Sequence, residues 1–157
     1  MERNKLTVRE TKDITEIKSV LCHPVIYDCI SDDNCPTSDK FEPPMGAQYI
    51  AGYVDNDIIG LMIYHRVTEG LKCHIQVLPE YRKLYSREFA QMALKFGEAK
   101  NATIFSEIPV CYPNVIKIAK EFGFKQIGII RENYLKNGIN FDVIKFRKGH
   151  GICNINT

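Results

Sequence analysis

The sequence has no tryptophan, no long apolar run and little net charge. Lysine and arginine exceed aspartate and glutamate by only two, which gives a formal charge of +2. A balance this close to neutral argues against binding to nucleic acid or to an anionic membrane surface. No apolar stretch approaches the roughly 20 residues that a membrane-spanning helix needs, and the polar N-terminal segment does not resemble a signal peptide. We therefore expect a cytoplasmic protein without membrane contact.

Cysteine pairs with the spacing of a zinc or redox site are also missing. None of the six cysteines belongs to a C-x-x-C pair. Cys22, His23, Cys29 and Cys35 lie near one another in sequence, which leaves a zinc site as an alternative. No second ligand pair accompanies them, so the sequence favours reduced, mostly buried thiols. We expect no bound metal.

Apolar periodicity and turn residues divide the chain into short elements. Their order is strand, two helices, three strands, helix, strand, helix and two strands. Asp13, with Glu16 three residues later, predicts a capping box at the first helix. Gly123 predicts the end of the last helix. The predicted strands cover residues 6–10, 48–54, 58–66, 71–78, 102–110, 126–134 and 141–146, and the predicted helices follow Asp13, Pro24, Arg82 and Tyr112.

This order of elements predicts one mixed α/β domain, with a central sheet covered by helices. A chain of 157 residues suits a single core, so we expect the domain at residues 1–148 and a C-terminal tail at 149–157. The turns Asp55-Asn56-Asp57 and Asn137-Gly138 predict two β-hairpins. Residues 31–46 are rich in Ser, Asp, Asn and Pro, which predicts a long loop that is either functional or mobile.

Two segments resemble the GNAT superfamily of acetyl-CoA-dependent acyltransferases. The first is His74-Ile-Gln-Val-Leu-Pro-Glu-Tyr-Arg-Lys83, a strand that runs through a V-x-P-x-x-R sequence into a helix. The second is Asn114-Val-Ile-Lys-Ile-Ala-Lys-Glu-Phe-Gly-Phe124, a helix that ends in a Gly-Phe pair. The match covers the chain from Leu6 to about Lys148. Its last part resembles the branch that includes the N-terminal acetyltransferases of ribosomal proteins.

The resemblance implies a largely antiparallel central sheet with one parallel strand pair, flanked by helices. It also implies acetyl-CoA as co-substrate and direct transfer of the acetyl group to an amine of a protein or small molecule. The coenzyme's pyrophosphate would lie at the start of the helix after the V-x-P sequence, where backbone N–H groups and the helix dipole favour negative charge. A backbone N–H near Val77 or Leu78 would polarise the thioester. The coenzyme-binding residues implied are Gln76, Val77, Leu78, Arg82, Lys83, Leu84, Tyr85, Ser86, Arg87 and Asn114.

The phosphate loop departs from the family pattern at two positions. The family has Gly and then Gly or Ala where this chain has Tyr85 and Arg87. Either Arg82, Lys83 and Arg87 compensate with positive charge and the coenzyme binds, or the fold survives as an inactive binding or assembly protein. Small phage-encoded proteins with this fold resemble the second case, so a phage protein is the alternative. Side chains of Tyr85 and Arg87 inside the cradle would favour the scaffold, and side chains pointing away would favour the enzyme.

Two side chains are candidates for the base that activates the amine. His74 lies on the strand before the phosphate loop and titrates near neutral pH. Glu107 lies on the next strand, where a carboxylate in a cleft could activate water. A packed histidine and a salt-bridged glutamate are the structural alternatives. The acid is commonly a tyrosine four residues before the Gly-Phe pair, where this chain has Ala119, and Tyr112 precedes the helix.

The expected partner is an amine-bearing acceptor. Nucleic acid is a weaker alternative that would use the basic residues Arg82, Lys83 and Arg87, and the near-neutral total charge argues against it. The resemblance also implies a homodimer through the late strands, as in many family members.

Overall fold

The computed structural model describes residues 3–149 of the chain. Of the predicted tail at 149–157, all but Gly149 lies outside the described residues. Short 3-10 helices lie at Ser38–Lys40 and Pro79–Tyr81. The strands are β1 (Leu6–Thr11), β2 (Gln48–Val54), β3 (Asp57–Val67), β4 (Gly70–Val77), β5 (Ile104–Pro109), β6 (Lys125–Lys136) and β7 (Ile139–Lys148), and the helices are α1 (Ile14–Leu21), α2 (Pro24–Ile30), α3 (Arg82–Glu98) and α4 (Pro113–Glu121).

The seven described strands form one sheet in the order β1-β2-β3-β4-β5-β7-β6. All neighbours are antiparallel except β4 and β5, which are parallel. The predicted mixed fold, with a largely antiparallel sheet and one parallel pair, is confirmed. The crossover between the parallel strands is α3, as a parallel connection requires.

The turn residues singled out in the sequence determine where the hairpins and α4 end. Asp55 and Asn56 (φ 50° and 70°) and Asn137 and Gly138 (φ 52° and 77°) have left-handed backbone conformations, which two-residue hairpin turns need. After α4, Gly123 has φ 88° and donates its N–H to the Lys120 carbonyl at 3.1 Å. Phe124 donates its N–H to the Ala119 carbonyl at 3.0 Å, which completes a Schellman motif.

The capping box predicted at α1 is only half formed. Asp13 accepts hydrogen bonds from the N–H groups of Thr15 (2.9 Å) and Glu16 (3.4 Å), as an N-cap should. The Asp13 N–H, however, donates its hydrogen bond to the Thr11 hydroxyl at 3.2 Å, and not to the Glu16 carboxylate as a capping box requires. The Glu16 carboxylate accepts bonds from Thr11 and from the hydroxyl of Tyr53 on β2. The Tyr53 hydroxyl, from a strand distant in sequence, therefore takes the place of the Asp13 N–H as the partner of Glu16.

The helices divide between the two faces of the sheet. On the first face, α3 packs on a large apolar cluster that includes Phe89 and Phe146, both fully buried, and α4 lies beside it. On the second face, α1 and α2 pack on a smaller cluster that includes Ile17, Ile26 and Leu61. The helix α4 buries no residue completely, although it has a clear apolar side. It is therefore the loosest part of the first face.

Candidate active site

The parallel strands β4 and β5 separate shortly after they meet. Pairing covers only Leu71 with Ile104 and Lys72 with Phe105. The strands continue to Val77 and Pro109, where β4 still pairs with β3 and β5 still pairs with β7. Among the described residues, the edge of β4 that faces β5 thus has no strand partner over its last residues. The sheet has a V-shaped opening at its centre.

The alternation of backbone groups along β4 decides which amide faces this opening. Leu78 donates its N–H to the Ile59 carbonyl on β3 at 2.8 Å. On the other side, Leu71 donates its N–H to the Thr103 carbonyl just before β5 at 2.9 Å. Because N–H directions alternate along a strand, Val77 directs its N–H toward the opening. The prediction for Leu78 needs correction, since its amide is already bonded to β3.

An apolar cavity of about 60 Å³ lies on the first face beside the opening. Its lining side chains come from β3, β4, α3, β5 and α4, and include Ile75, Ser106, Ala119 and Phe122. The side chains of α4 cover it only in part, since Val115 is 43% exposed. Asn114 is exposed in the first turn of α4, where Tyr112 holds the N-cap position, so Asn114 is not the helix cap.

The start of α3 lies directly after β4 and carries positive side chains. Tyr81 holds the N-cap position, makes no side-chain capping bond, and no acidic residue lies in the first helical turn. Arg82, Lys83 and Leu84 are exposed there. Arg82 donates its Nε–H to the Val77 carbonyl at 2.9 Å, which ties the end of β4 to the helix start. The bond uses one of the five guanidinium N–H groups.

Tyr85 lies away from the helix start and inside the core. Its ring is 5% exposed and belongs to the large apolar cluster of the first face. The hydroxyl donates a hydrogen bond to the Asn4 carbonyl at 3.0 Å, and the Arg3 guanidinium lies 4.4 Å above the ring. The side chain of Tyr85 therefore packs toward the N-terminal segment. Its predicted role in coenzyme binding is corrected to a packing role.

Arg87 also points away from the helix start. Its Nε and a terminal nitrogen lie 3.2 Å and 3.0 Å from Oε2 of Glu121 on α4. Both side chains are partly exposed, Arg87 at 67% and Glu121 at 37%. Ser86 is half-buried between Tyr85 and Arg87. Neither of the two replacing side chains fills the turn between β4 and α3.

The two candidate bases lie on the second face, on opposite sides of the opening. His74 and Gln76 alternate with the cavity-lining residues of β4, and Glu107 does so on β5. Glu107 lies 3.6 Å from Nζ of Lys72, so part of its charge is compensated. Burial lowers the pKa of His74 to about 4, with help from the neighbouring His65 and Lys72. At neutral pH His74 is uncharged and can accept a proton.

The fold brings together two tyrosines that the sequence did not predict to be in contact. The hydroxyls of Tyr112, between β5 and α4, and Tyr134, on β6, lie 2.9 Å apart. Tyr134 also lies 2.9 Å from the Ser31 carbonyl after α2. Burial and the bond to Tyr134 raise the pKa of Tyr112 well above its usual range. Tyr112 thus stays protonated, and only its place just before α4 hinted at it.

The hairpin between β6 and β7 is fastened to the end of α2 by polar contacts. The Asp33 carboxylate accepts hydrogen bonds from the turn amides of Gly138 (2.8 Å) and Asn137 (2.9 Å). Lys136 donates to the Ser31 carbonyl at 2.8 Å. The hydrogen bonds from the backbone N–H groups of Gly138 and Asn137 hold the pKa of the Asp33 carboxyl below its usual range. These contacts form what we call the hairpin clamp: Ser31, Asp33, Lys136, Asn137 and Gly138.

Other kinds of site find little support in the part of the chain that is described. Within residues 3–149, no three His, Cys, Asp or Glu side chains are grouped so that they could hold a metal ion. The five cysteines in this range are free thiols, and Cys153 lies outside it. No described helix combines the length and apolar character needed to cross a membrane.

Comparison with known proteins identifies the fold. No protein-family model matches the chain, and no curated protein matches it by sequence. Among solved structures, spermidine N-acetyltransferase from Vibrio cholerae, in complex with CoA and spermine, gives a TM-score of 0.76 at 19% identity and covers 92% of this chain and 95% of that chain. The ribosomal-protein-S18-alanine N-acetyltransferase from Escherichia coli gives 0.73 at 14% identity, with 98% and 99% covered. An N-acetyltransferase from Staphylococcus aureus gives 0.73 at 14% identity, with 92% and 98% covered. The chain therefore has the fold of the GNAT acetyltransferases.

Proposed function

We propose that the protein is an acetyl-CoA-dependent N-acetyltransferase that transfers the acetyl group directly to an amine of a protein or small molecule. The observation that carries the proposal is the opening between β4 and β5. Pairing stops at Lys72, and the edge of β4 from there to Val77 lies beside a partly covered apolar cavity. A backbone edge without a strand partner, next to an apolar space, suits a ligand that alternates amide and methylene groups, as the pantetheine arm does.

The surroundings of the opening fit the rest of the coenzyme. The start of α3 has no side-chain cap, has no acidic residue in its first turn and carries Arg82 and Lys83. These features favour a bound diphosphate. Tyr85, the largest departure from the family pattern, is buried elsewhere and does not obstruct this region. Acetyl-CoA would supply the acetyl thioester as co-substrate.

The chain's own groups suggest a division of roles. The Val77 N–H faces the opening and is the candidate donor to the thioester oxygen. His74 is the first candidate for the base, since it is uncharged at neutral pH, while Glu107 is paired with Lys72. Tyr112 lies just before α4, but its raised pKa makes it a weak acid for the departing thiolate. The structural neighbours named for spermidine and for a ribosomal-protein alanine support an amine acceptor without choosing between small molecule and protein.

Two measurements test the proposal. In a thermal-shift and calorimetric titration, acetyl-CoA at ~100 times its dissociation constant should add about 2.7 kcal/mol to the free energy of unfolding. Release of the CoA thiol should then depend on an added amine, with spermidine and an N-terminal alanine peptide as the first two acceptors. No stabilisation at millimolar acetyl-CoA would remove the proposal. Thiol release that is independent of amine would indicate hydrolysis instead.

Ala119→Leu tests whether the cavity is the coenzyme site. Ala119 lines the cavity of about 60 Å³, and leucine adds three carbon atoms that would occupy it. We expect the affinity for acetyl-CoA to fall at least tenfold, about 1.4 kcal/mol, while the melting temperature of the ligand-free protein stays within a few degrees. Ala99→Leu, the same change at an exposed position, is the control and should leave binding intact. Equal binding by both variants would place the coenzyme elsewhere.

The alternative function is a GNAT-fold binding or assembly protein without turnover. One observation favours it: the phosphate loop lacks both small residues of the family pattern and has Tyr85 and Arg87 in their place. This function predicts that acetyl-CoA neither stabilises the protein nor binds in calorimetry. The phage origin and the cytoplasmic location expected from the sequence stay predictions, as does the homodimer.

A further inference from the structure

The ion pair between Arg87 and Glu121 lies where α3 and α4 face each other. Arg87 precedes the cavity-lining residues Ala90 and Leu94 by one and two helical turns and so lies on the same side of α3. Glu121 lies beside the cavity-lining residues Ile118 and Phe122. The pair therefore bridges the two helices at the border of the cavity, outside its apolar lining.

The contact is poised to exchange partners. Both N–H···O bonds end on a single carboxylate oxygen, at 3.0 Å and 3.2 Å, so the carboxylate does not make the two-oxygen contact that arginine prefers. Because the Arg87 side chain is 67% exposed, water screens the pair, and such pairs are held weakly. A diphosphate offers the same guanidinium more oxygens and more charge. Glu121 is also the last residue of α4, where the helix dipole adds to its negative potential.

We propose that Glu121 competes with the coenzyme's diphosphate for the Arg87 guanidinium, so that the Arg87–Glu121 pair is a latch that the coenzyme opens when it binds. This inference rests on the proposed function, because it concerns the same coenzyme site. In the closed form, Arg87 and Glu121 bridge α3 and α4 at the border of the cavity. In the open form, Arg87 turns to the phosphates and Glu121 turns to solvent. Glu121 thereby stabilises the ligand-free protein in its closed form and lowers the affinity for the coenzyme.

The test compares calorimetric dissociation constants for CoA between the wild-type protein and Glu121→Gln. Glutamine cannot hold the guanidinium by charge, so we expect Glu121→Gln to bind CoA about two- to fivefold more tightly. The control is Glu98→Gln, which removes an equal charge at the far end of α3, where Glu98 pairs with Lys148 at 3.2 Å. Glu98→Gln should leave the dissociation constant unchanged.

Two further measurements separate competition from simple charge repulsion. In an Arg87→Gln background, Glu121→Gln should no longer tighten binding, because no guanidinium remains to be contested. A gain that persists in that background would show a general charge effect and overturn the latch. With dephospho-CoA, which keeps the diphosphate and lacks the ribose phosphate, the gain should remain. Its loss would assign Arg87 to the ribose phosphate and would also overturn the proposal.

The failure of the latch and the failure of the enzyme look different in these data. If the wild-type protein binds CoA and Glu121→Gln binds it no more tightly, the latch is wrong and the proposed function stands. If neither protein binds CoA at millimolar concentration, the proposed function is wrong and the latch falls with it.

Discussion

Both faces of the sheet have a buried apolar cluster, but their outer parts are held by different forces. On the first face, α3 packs its apolar side fully, with Phe89 and Ala93 completely buried, whereas α4 beside it buries none of its residues. On the second face, hydrogen bonds from Lys136 and from the turn amides fasten the β6–β7 hairpin to the loop after α2 through the hairpin clamp. Apolar packing is non-directional, whereas hydrogen bonds fix distances and angles.

This difference suits the proposed transferase activity, which needs two substrates. A partly covered helix over an apolar cavity can move to admit a long, flexible coenzyme arm at little cost. An acceptor amine, by contrast, must meet the thioester at a defined distance and angle, which rigid surroundings favour. We infer that α4 on the first face adapts, whereas the second face positions the acceptor amine.

Alanine substitutions should separate α3 from α4 most clearly. Phe89→Ala removes a fully buried ring and should lower the free energy of unfolding by about 3–5 kcal/mol. Ile118→Ala removes a half-buried side chain that already borders a cavity, and should cost less than about 1.5 kcal/mol. Urea denaturation of both variants measures the difference. A loss for Ile118→Ala as large as that for Phe89→Ala would mean that α4 belongs to the rigid core.

The sequence predicted the elements better than their contacts. Strand β2 and helix α4 have the predicted bounds, and both hairpin turns contain the predicted residues. These features depend on local rules, namely apolar periodicity and left-handed turn residues. The predicted strand at 102–110 shrank to Ile104–Pro109. The two-residue pairing of β4 with β5 was not predictable at all, because strand separation depends on the rest of the sheet.

The predicted site shows the same division between local and long-range causes. The V-x-P-x-x-R sequence correctly anticipated a strand that leads into a helix, so Val77 and Arg82 lie where that pattern predicts. The position of the Tyr85 side chain depends on Asn4, which is 81 residues away in sequence, and the position of the Arg87 side chain depends on Glu121. Likewise Tyr112 gained interest only when the sheet brought Tyr134 within 2.9 Å. None of these pairings has a sequence signature.

His74→Gln tests whether the second face carries the catalytic base. If His74 is the base, its loss should lower kcat by about 10²-fold, the low end for a general base, because its low pKa makes it a weak one. The acid limb of the pH profile for the wild-type protein should lie near pH 4 instead of near 6.5, since histidine accepts a proton only when neutral. Steady-state rates between pH 4 and 9 measure both.

Glu107→Gln and Lys72→Gln serve as the matched variants. With His74 as the base, Glu107→Gln should lower kcat less than His74→Gln does. Lys72→Gln should move the acid limb to higher pH, because the lysine charge helps to lower the pKa of His74. If Glu107→Gln alone abolishes turnover and His74→Gln does not, the carboxylate is the base.

The smallest expected effect is the loss of stability of the hairpin clamp at acid pH. The N–H groups of Gly138 and Asn137 hold the pKa of Asp33 below its usual value, so the carboxylate stabilises the fold above its unfolded pKa of about 3.9. That contribution is lost as pH falls through the lower, folded pKa. Asp33→Asn puts an amide NH₂ against a backbone N–H and should be less stable than the wild-type protein at pH 7. Below about pH 4 the difference in the free energy of unfolding between Asp33→Asn and the wild-type protein should become smaller.

Urea denaturation at pH 7 and pH 3 measures this difference. The control is Asp39→Asn, in the 3-10 helix Ser38–Lys40 of the same loop, for which the difference should not become smaller. A constant difference for Asp33→Asn across this range would mean that the carboxylate charge does not hold the hairpin.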